Sequence, residues 1–236
     1  MEFTFITIFP GIIEDFCKEG LLEKAIRTNK IKIATINPRD FTTDVHRTVD
    51  DLPYGGGKAG MIMKIEPLVA AIRKAVGKKK SADTLVVLLS PSKKVWRQKL
   101  AIQFAKQYRH LVLVCGRYEG VDARVEKYVD TKISLGEFVL MGGEVAALAM
   151  LESIIRLLPG VIGNEPSLGD ESYSQRFYLE YPQYTRPEVF EGKKVPAVLL
   201  SGNHQRIEEW RKKHSISVIP DRIAKGKSGS GIQKEK

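Results

Sequence analysis

The sequence has few residues able to form covalent or metal cross-links. Only two cysteines occur, Cys17 and Cys115, and they are far apart and form no C-x-x-C pair. No disulfide framework is therefore expected, and both side chains are predicted to be reduced, structural thiols. The four histidines show no metal-ligand spacing such as H-E-x-x-H, so no metal site is predicted. They are His46, His110, His204 and His214.

Long hydrophobic runs are also missing. No stretch approaches the length of a membrane span, and the first apolar run, residues 3–9, ends at Pro10. Glu2 stands where a secretory signal peptide needs positive charge. These features predict a cytoplasmic protein without a membrane partner.

Negative charge is scarce relative to positive charge, with 38 Lys and Arg, 28 Asp and Glu and a net charge of +10. Excess cationic charge attracts polyanions through Coulomb attraction and counterion release, so nucleic acid is the predicted partner. One basic cluster lies in residues 201–236, and a second contains Arg73, Lys74 and residues 78–80. Each cluster is also compatible with a solubilising surface.

Short β-rich runs alternate with helical stretches. Four runs predict strands: residues 3–9, 31–36, 84–89 and 111–115. The last two are nearly continuous apolar runs, which are typical of strands buried on both faces of a parallel sheet. Between the runs, apolar residues recur at i+4 spacing, as in Leu68, Ile72 and Val76. The pattern predicts an α/β fold with helices on both faces of a parallel sheet.

Residues 145–158 form a longer helical stretch that is apolar almost all round, which favours a core or an oligomer interface. After Pro159 and Gly160 the period is lost, and Gly, Pro, Ser and acidic residues predict an interdomain linker. Residues 205–213 look helical again. The predicted organisation is a main domain over residues 1–160, a linker over 161–174 and a small, basic, mainly helical domain over 175–236 with a disordered tail.

Three loop segments each follow a predicted strand: residues 89–91, 115–120 and 134–143. Ligands of α/β sheets bind at the carboxyl ends of the strands, and glycines let a backbone approach a ligand closely. The loops therefore predict one pocket whose backbone groups hydrogen-bond an adenine while apolar side chains sandwich it. Each loop alone is also compatible with ordinary turn chemistry. The glycine-rich residues 53–60 lack the spacing of a phosphate-binding loop and are compatible with a surface loop.

Arg156 stands in the otherwise apolar stretch 145–158, where a buried cation is costly unless it is paired. An i,i+4 ion pair with Glu152 is one explanation, and a functional cation is the other. Asp170 and Glu171 are candidates for a general base, or are solvated linker residues.

Several long segments of the sequence resemble one family, the bacterial tRNA (guanine-N1)-methyltransferases of the SPOUT class. The segments include NPRDFTTDVHRTVDDLPYGGGKAGM, LVLVCGRYEGVDARV, SLGEFVLMGGE, YPQYTRPEVFEGKKVPAVLLSGNH and IEEWR. They extend from the first predicted strand to about Arg211. The resemblance implies S-adenosylmethionine-dependent methylation of N1 of the guanosine 3′ of the tRNA anticodon. The alternatives are a non-catalytic RNA-binding relative and a SPOUT methyltransferase that acts on another RNA.

The resemblance further implies a homodimer whose parallel sheet ends in a deep trefoil knot, with a C-terminal domain that binds the tRNA anticodon stem-loop. It assigns cofactor binding to Ser90, Pro91, Gly116, Tyr118, Leu135, Gly136, Glu137, Phe138, Val139, Leu140, Gly142 and Gly143. Mg²⁺ is a possible additional cofactor of the reaction, but no residues of the chain are predicted to bind a metal ion.

The chemistry of guanine N1 requires a base, because N1 carries a proton at neutral pH, and a cation, because negative charge builds on O6. By resemblance Arg156 is the cation. Register places Glu171 at the position of the base, where the family has an aspartate. Asp170 takes this role if the loop shifts by one residue.

Overall fold

The computed structural model describes residues 1–56, 60–163, 172–173 and 178–217. The chain divides into two units, Met1–Gly163 and Asn164–Lys236. The predicted disordered tail and both candidate bases lie outside the described residues. The separate roles assigned to the main domain, the linker and the C-terminal domain stay predictions.

The first unit is built on a five-stranded sheet with the order β2-β1-β6-β5-β7, in which every neighbouring pair is parallel. Its strands, with the separate antiparallel pair β3 and β4, are β1 (Glu2–Ile6), β2 (Lys32–Ile36), β3 (Asp50–Asp51), β4 (Ile62–Met63), β5 (Thr84–Leu89), β6 (His110–Cys115) and β7 (Thr131–Ile133). The predicted α/β class is confirmed. The trefoil knot stays a prediction.

Helices cover both faces of the sheet, as predicted. They are α1 (Pro10–Phe16), α2 (Gly20–Arg27), α3 (Ile65–Val76), α4 (Gln98–Gln107) and α5 (Glu144–Ile155). Alternate residues of a strand point to opposite faces. Accordingly Leu111 and Leu113 of β6 pack in one cluster with side chains of α1, α2, α4 and α5, whereas Val112 and Val114 pack in a second cluster with α3.

The two central strands are buried on both faces. All six residues of β5 are buried, and in β6 burial is complete except at His110. Each fully buried Leu or Val contributes about 1.5–3 kcal/mol relative to exposure. The continuous apolar runs of the sequence therefore mark the strands with two covered faces.

Strand β1 ends at Ile6, three residues earlier than predicted. The Thr7 backbone N–H still bonds to the Ile36 carbonyl at 3.1 Å, but the Thr7 hydroxyl accepts from the Phe9 N–H at 3.0 Å and turns the chain. Pro10 then begins α1, because its fixed φ suits the first turn of a helix. Phe9 consequently lies at the surface, with 44% of its area exposed.

Helix α5 lies in the core of the first unit, since Leu148, Met150, Leu151 and Ile154 are buried there. It ends at Ile155 rather than at residue 158. Of the two alternatives predicted for this stretch, a core or an oligomer interface, its burial in the first unit supports the core, and the homodimer stays a prediction. Among the large apolar side chains of α5 only Val145 is strongly exposed.

The described part of the second unit contains β8 (Tyr178–Leu179), β9 (Val189–Phe190), β10 (Lys193–Lys194), α6 (Ala197–Leu200), α7 (His204–His214) and β11 (Ile216–Ser217). Helix α7 confirms the helix predicted at residues 205–213 and is capped by Asn203, whose side chain accepts from the Arg206 N–H. Trp210 anchors it, with ring centroids of Tyr181 and Tyr184 at 6.4 and 6.2 Å.

Candidate active site

One cavity of about 190 Å³ opens at the carboxyl edge of the parallel sheet. The loops that follow β5, β6 and β7 line it together. The lining residues are Leu89, Ser90, Pro91, Gly116, Arg117, Tyr118, Glu119, Gly120, Val121, Ile133, Ser134, Leu135, Phe138, Val139, Leu140, Gly142, Gly143 and Ala146. Because parallel strands end at the same edge, three segments distant in sequence meet at this cavity.

Most residues that the resemblance assigns to the cofactor meet at this cavity, but Gly136 and Glu137 do not line it. The loop folds back on itself at this point. The Ser134 hydroxyl donates to the Gly136 carbonyl at 2.7 Å. The Phe138 ring also lies so close to Gly136 that a Cβ there would be 2.4 Å from it. The Phe138 side chain therefore lines the cavity, whereas Gly136 and Glu137 do not.

The pocket predicted from residues 89–91, 115–120 and 134–143 includes Arg117, Glu119, Gly120 and Ser134 as loop residues, but it does not extend to Val121 or Ala146, which also line the cavity. Arg117, Glu119, Gly120 and Val121 belong to the loop after β6, and Ser134 begins the loop after β7. The signal for Val121 was its position in the loop after β6, and Ala146 lies in the first turn of α5, directly after the loop that follows β7.

The loops after β6 and β7 approach each other backbone to backbone at Gly143. Its N–H donates to the Gly116 carbonyl at 2.8 Å. A Cβ on Gly143 would lie 2.7 Å from the Cα of Cys115, a distance that real Cβ atoms do not tolerate. Glycine is thus required here by contact between two backbones.

A buried carboxylate lies directly behind the cavity wall. Glu144, the first residue of α5, is 1% exposed. Its Oε2 accepts from the Nε of Arg117 at 2.8 Å, and its Oε1 accepts from the Thr7 hydroxyl at 2.7 Å. A buried charge is costly without partners, and these two donors satisfy it. The sequence reasoning did not identify this network.

Tyr118 lies at the cavity mouth with φ of 59°, in the left-handed region, and is 42% exposed. Partial burial, followed by the nearby Asp50 carboxylate, raises the pKa of its phenol above the ordinary value of 10.0. The hydroxyl therefore stays protonated at neutral pH and can act as donor or acceptor.

Arg156 follows α5 directly and is partly buried. Its backbone N–H donates to the Glu152 carbonyl at 3.4 Å. Since residues 164–171 are outside the described chain, both roles considered for the Arg156 side chain stay predictions.

Within residues 1–56, 60–163, 172–173 and 178–217, no group of three or more His, Cys, Asp or Glu side chains is placed to hold a metal ion. No helix in these ranges is long and apolar enough to cross a membrane.

Comparison with known proteins shows the family. A model of the family described as tRNA (Guanine-1)-methyltransferase TrmD matches residues 1–222. A tRNA (guanine-N(1)-)-methyltransferase of Dictyoglomus turgidum is 49% identical over 211 residues, which are 89% of this chain and 83% of the relative. One from Clostridium perfringens (strain 13 / Type A) is 48% identical over 222 residues, 94% of this chain and 91% of the relative.

The fold matches a solved structure as well. The tRNA (m1G37) methyltransferase from Aquifex aeolicus superposes with a TM-score of 0.74 at 38% identity, covering 91% of this chain and 88% of that one. Family, relatives and fold agree over nearly the whole length of the chain. The protein is an enzyme of the tRNA (guanine-N1)-methyltransferase family TrmD.

Proposed function

We propose that this chain transfers the methyl group of S-adenosylmethionine to N1 of the guanosine immediately 3′ of the tRNA anticodon. The observation that carries the proposal is the cavity in which the loops after β5, β6 and β7 meet, in a chain of this family. A tRNA-modifying activity also favours the cytoplasm as its location.

The cavity suits an adenosyl group. Gly116 and Gly142 line the cavity together with the apolar side chains of Leu135, Phe138 and Leu140. Pockets of this kind combine apolar walls with a few polar groups that orient the ligand. When bound, S-adenosylmethionine supplies an electrophilic methyl group. Residues 90, 91, 116, 118, 135, 138–140, 142 and 143 are proposed to hold it.

Methyl transfer then requires the chain to accept the proton of guanine N1 and to stabilise the negative charge that develops on O6. As N1 of the guanine forms its bond to the methyl carbon and the sulfur–carbon bond breaks, the N1 proton passes to a carboxylate. We assign this carboxylate to Glu171, with Asp170 as the alternative. Arg156 stabilises the negative charge that builds on O6.

The RNA partner is assigned from charge and from position in the fold. The last turn of α7 carries Arg211, Lys212 and Lys213, and this unit is proposed to bind the anticodon stem-loop. The second basic cluster, at residues 78–80, precedes β5 and therefore lies at the amino edge of the sheet, whereas the cavity lies at the carboxyl edge. The six residues of β5 separate these edges by about 20 Å, so this cluster suits phosphates away from the target base.

A homodimer is proposed from an apolar patch beside the cavity. Phe9, Ile12 and Phe16 are 44%, 42% and 42% exposed, and Val139 and Met141 are 86% and 90% exposed. The residues in and next to α1 and those of the loop after β7 are adjacent, because the Arg117 guanidinium lies over the Phe9 ring and also donates to the Met141 carbonyl. Exposed apolar patches of this kind are typical of association surfaces.

The test is single-turnover methylation of an anticodon stem-loop, with base mapping of the product. The wild type is expected to place one methyl group on N1 of the target guanosine and none on an RNA with adenosine at that position. Arg156→Ala is expected to lose transfer while it retains cofactor binding, and the surface variant Arg27→Ala to react like the wild type. RNA binding without cofactor binding or transfer would instead identify a non-catalytic RNA-binding protein.

A further inference from the structure

We infer that Thr7, Glu144 and Arg117 form a buried positioning network that sets the spacing of the two loops between which the cofactor binds. The inference rests on the proposed binding of S-adenosylmethionine in the cavity. None of the three residues is assigned to the transfer of the methyl group or the proton.

Glu144 is the centre of the network. Its carboxylate is buried at the start of α5, and its two oxygens have different partners, the Thr7 hydroxyl at 2.7 Å and the Arg117 Nε at 2.8 Å. The Thr7 hydroxyl donates to Glu144 and also accepts from the Phe9 N–H at 3.0 Å. Three segments are thereby joined: the end of β1, the loop after β6 and the start of α5.

Arg117 links the network to both cavity loops. It stands between Gly116 and Tyr118, which line the cavity, and it forms an antiparallel bridge with Gly142 in the loop after β7. One guanidinium nitrogen lies 3.4 Å from the Met141 carbonyl. The Arg117 side chain thus holds the loop after β7 against the loop that carries Arg117 itself.

Orientation of the guanidinium depends on the buried carboxylate. The group lies over the Phe9 ring, 4.7 Å from its centroid, and is only 19% exposed. With two fixed acceptors and a ring on one side, the arginine has little freedom to rotate. Loss of one hydrogen bond to Glu144 is therefore expected to release the Arg117 side chain and widen the gap between the loops.

The test uses changes that remove a hydrogen bond while conserving side-chain volume in the full-length protein. Thr7→Val removes the hydroxyl, Glu144→Gln removes one acceptor, and Thr7→Ser restores the hydroxyl. Ser153→Ala is the matched control, because it removes the acceptor of the Trp96 indole N–H at 2.9 Å, farther along α5. The dissociation constants of S-adenosylmethionine and of tRNA are measured by calorimetry, and the melting temperature by scanning fluorimetry.

The expected result is an increase of about tenfold or more in the dissociation constant of S-adenosylmethionine for Thr7→Val and Glu144→Gln, the effect of losing one hydrogen bond to a charged group. The tRNA dissociation constant should change less than about twofold, which is well below that effect. Thr7→Ser should bind the cofactor like the wild type. Ser153→Ala should lower only the melting temperature.

Three results would overturn the inference, and the first of them is distinguishable from the other two. If the wild type itself does not bind S-adenosylmethionine, the proposed function fails and the inference fails with it. If the wild type binds, but Thr7→Val and Glu144→Gln lower only the melting temperature, as Ser153→Ala does, the network serves folding alone. Failure of both network variants to fold would lead to the same conclusion.

Discussion

The guanidinium of Arg117 lies directly against the backbone of Gly142, so that a Cβ atom at position 142 would be 2.1 Å from its Nε. The sequence suggests that glycine is needed there for the approach of a ligand. The structure gives a different reason, because the space next to Gly142 is filled by a side chain that is paired with a buried carboxylate.

This packing predicts a graded effect of alanine at three glycines. Gly143→Ala should cause the largest loss of cofactor affinity, because its Cβ would meet backbone atoms that cannot move. Gly142→Ala should be intermediate, since it displaces a side chain. Gly116→Ala should be mildest, because its Cβ would be 3.4 Å from the Leu89 carbonyl. Calorimetric titration with S-adenosylmethionine gives the order, and Gly11→Ala, with no atom within 4 Å, is the control.

The apolar patch beside the cavity predicts a dimer in solution. Ile12→Asp places a charge in the patch without disturbing the core, because Ile12 is 42% exposed. It should shift the protein toward the monomer while the melting transition remains cooperative. Sizing with light scattering at micromolar concentration measures this. A monomeric wild type under these conditions would show that the patch has another role.

Binding of tRNA should weaken steeply with salt, because contacts with phosphates release counterions. Lys212→Ala with Lys213→Ala should reduce the slope of log K against log salt, by about 0.7 for each lost contact with single-stranded phosphate, for both full-length tRNA and an anticodon stem-loop. Lys78→Ala with Lys79→Ala should reduce it only for full-length tRNA, because these residues lie at the amino edge of the sheet. If the tRNA dissociation constant did not change with salt concentration, the net positive charge of the chain would have no role in RNA binding.

The general base is predicted from sequence register. Glu171→Gln should slow single-turnover methylation by about 10²–10⁴-fold, the usual contribution of base catalysis, and the rate should partly recover in alkali as N1 loses its proton. Asp170→Asn should cost far less. A large loss in Asp170→Asn with a normal rate in Glu171→Gln would show that the register is shifted by one residue.

The buried thiol of Cys17 predicts a loss of stability in alkali. Burial raises its pKa from 9.0 to about 11. Between about pH 9 and pH 11 the thiol ionises in the unfolded chain but not in the folded one, so the free energy of unfolding falls as the pH rises through this window. The loss is at most about 2–3 kcal/mol. The free energy of unfolding is measured by urea titration for the wild type and for Cys17→Ala. Its pH dependence should differ between the two proteins only above pH 9.

The sequence by itself determined the class of fold and the edge of the sheet at which the site lies. Residues 84–89 and 111–115 are apolar without alternation, and such strands are stable only when both faces are covered. The segments that follow these two strands must then meet at one edge, because the strands are parallel. These are consequences of local periodicity, and together with the glycines of the loops they predict most of the residues that line the cavity.

Only the tertiary structure decided which side chains are partners. Thr7 and Glu144 are 137 residues apart, and Arg117 and Glu144 are 27 apart, so no spacing rule joins them. The fold also decided that α5 is covered within the first unit and that Phe9 is left at the surface. Periodicity shows that a side chain will be buried, but the identity of its neighbours depends on how distant segments pack, and hydrogen bonds act only at contact distance.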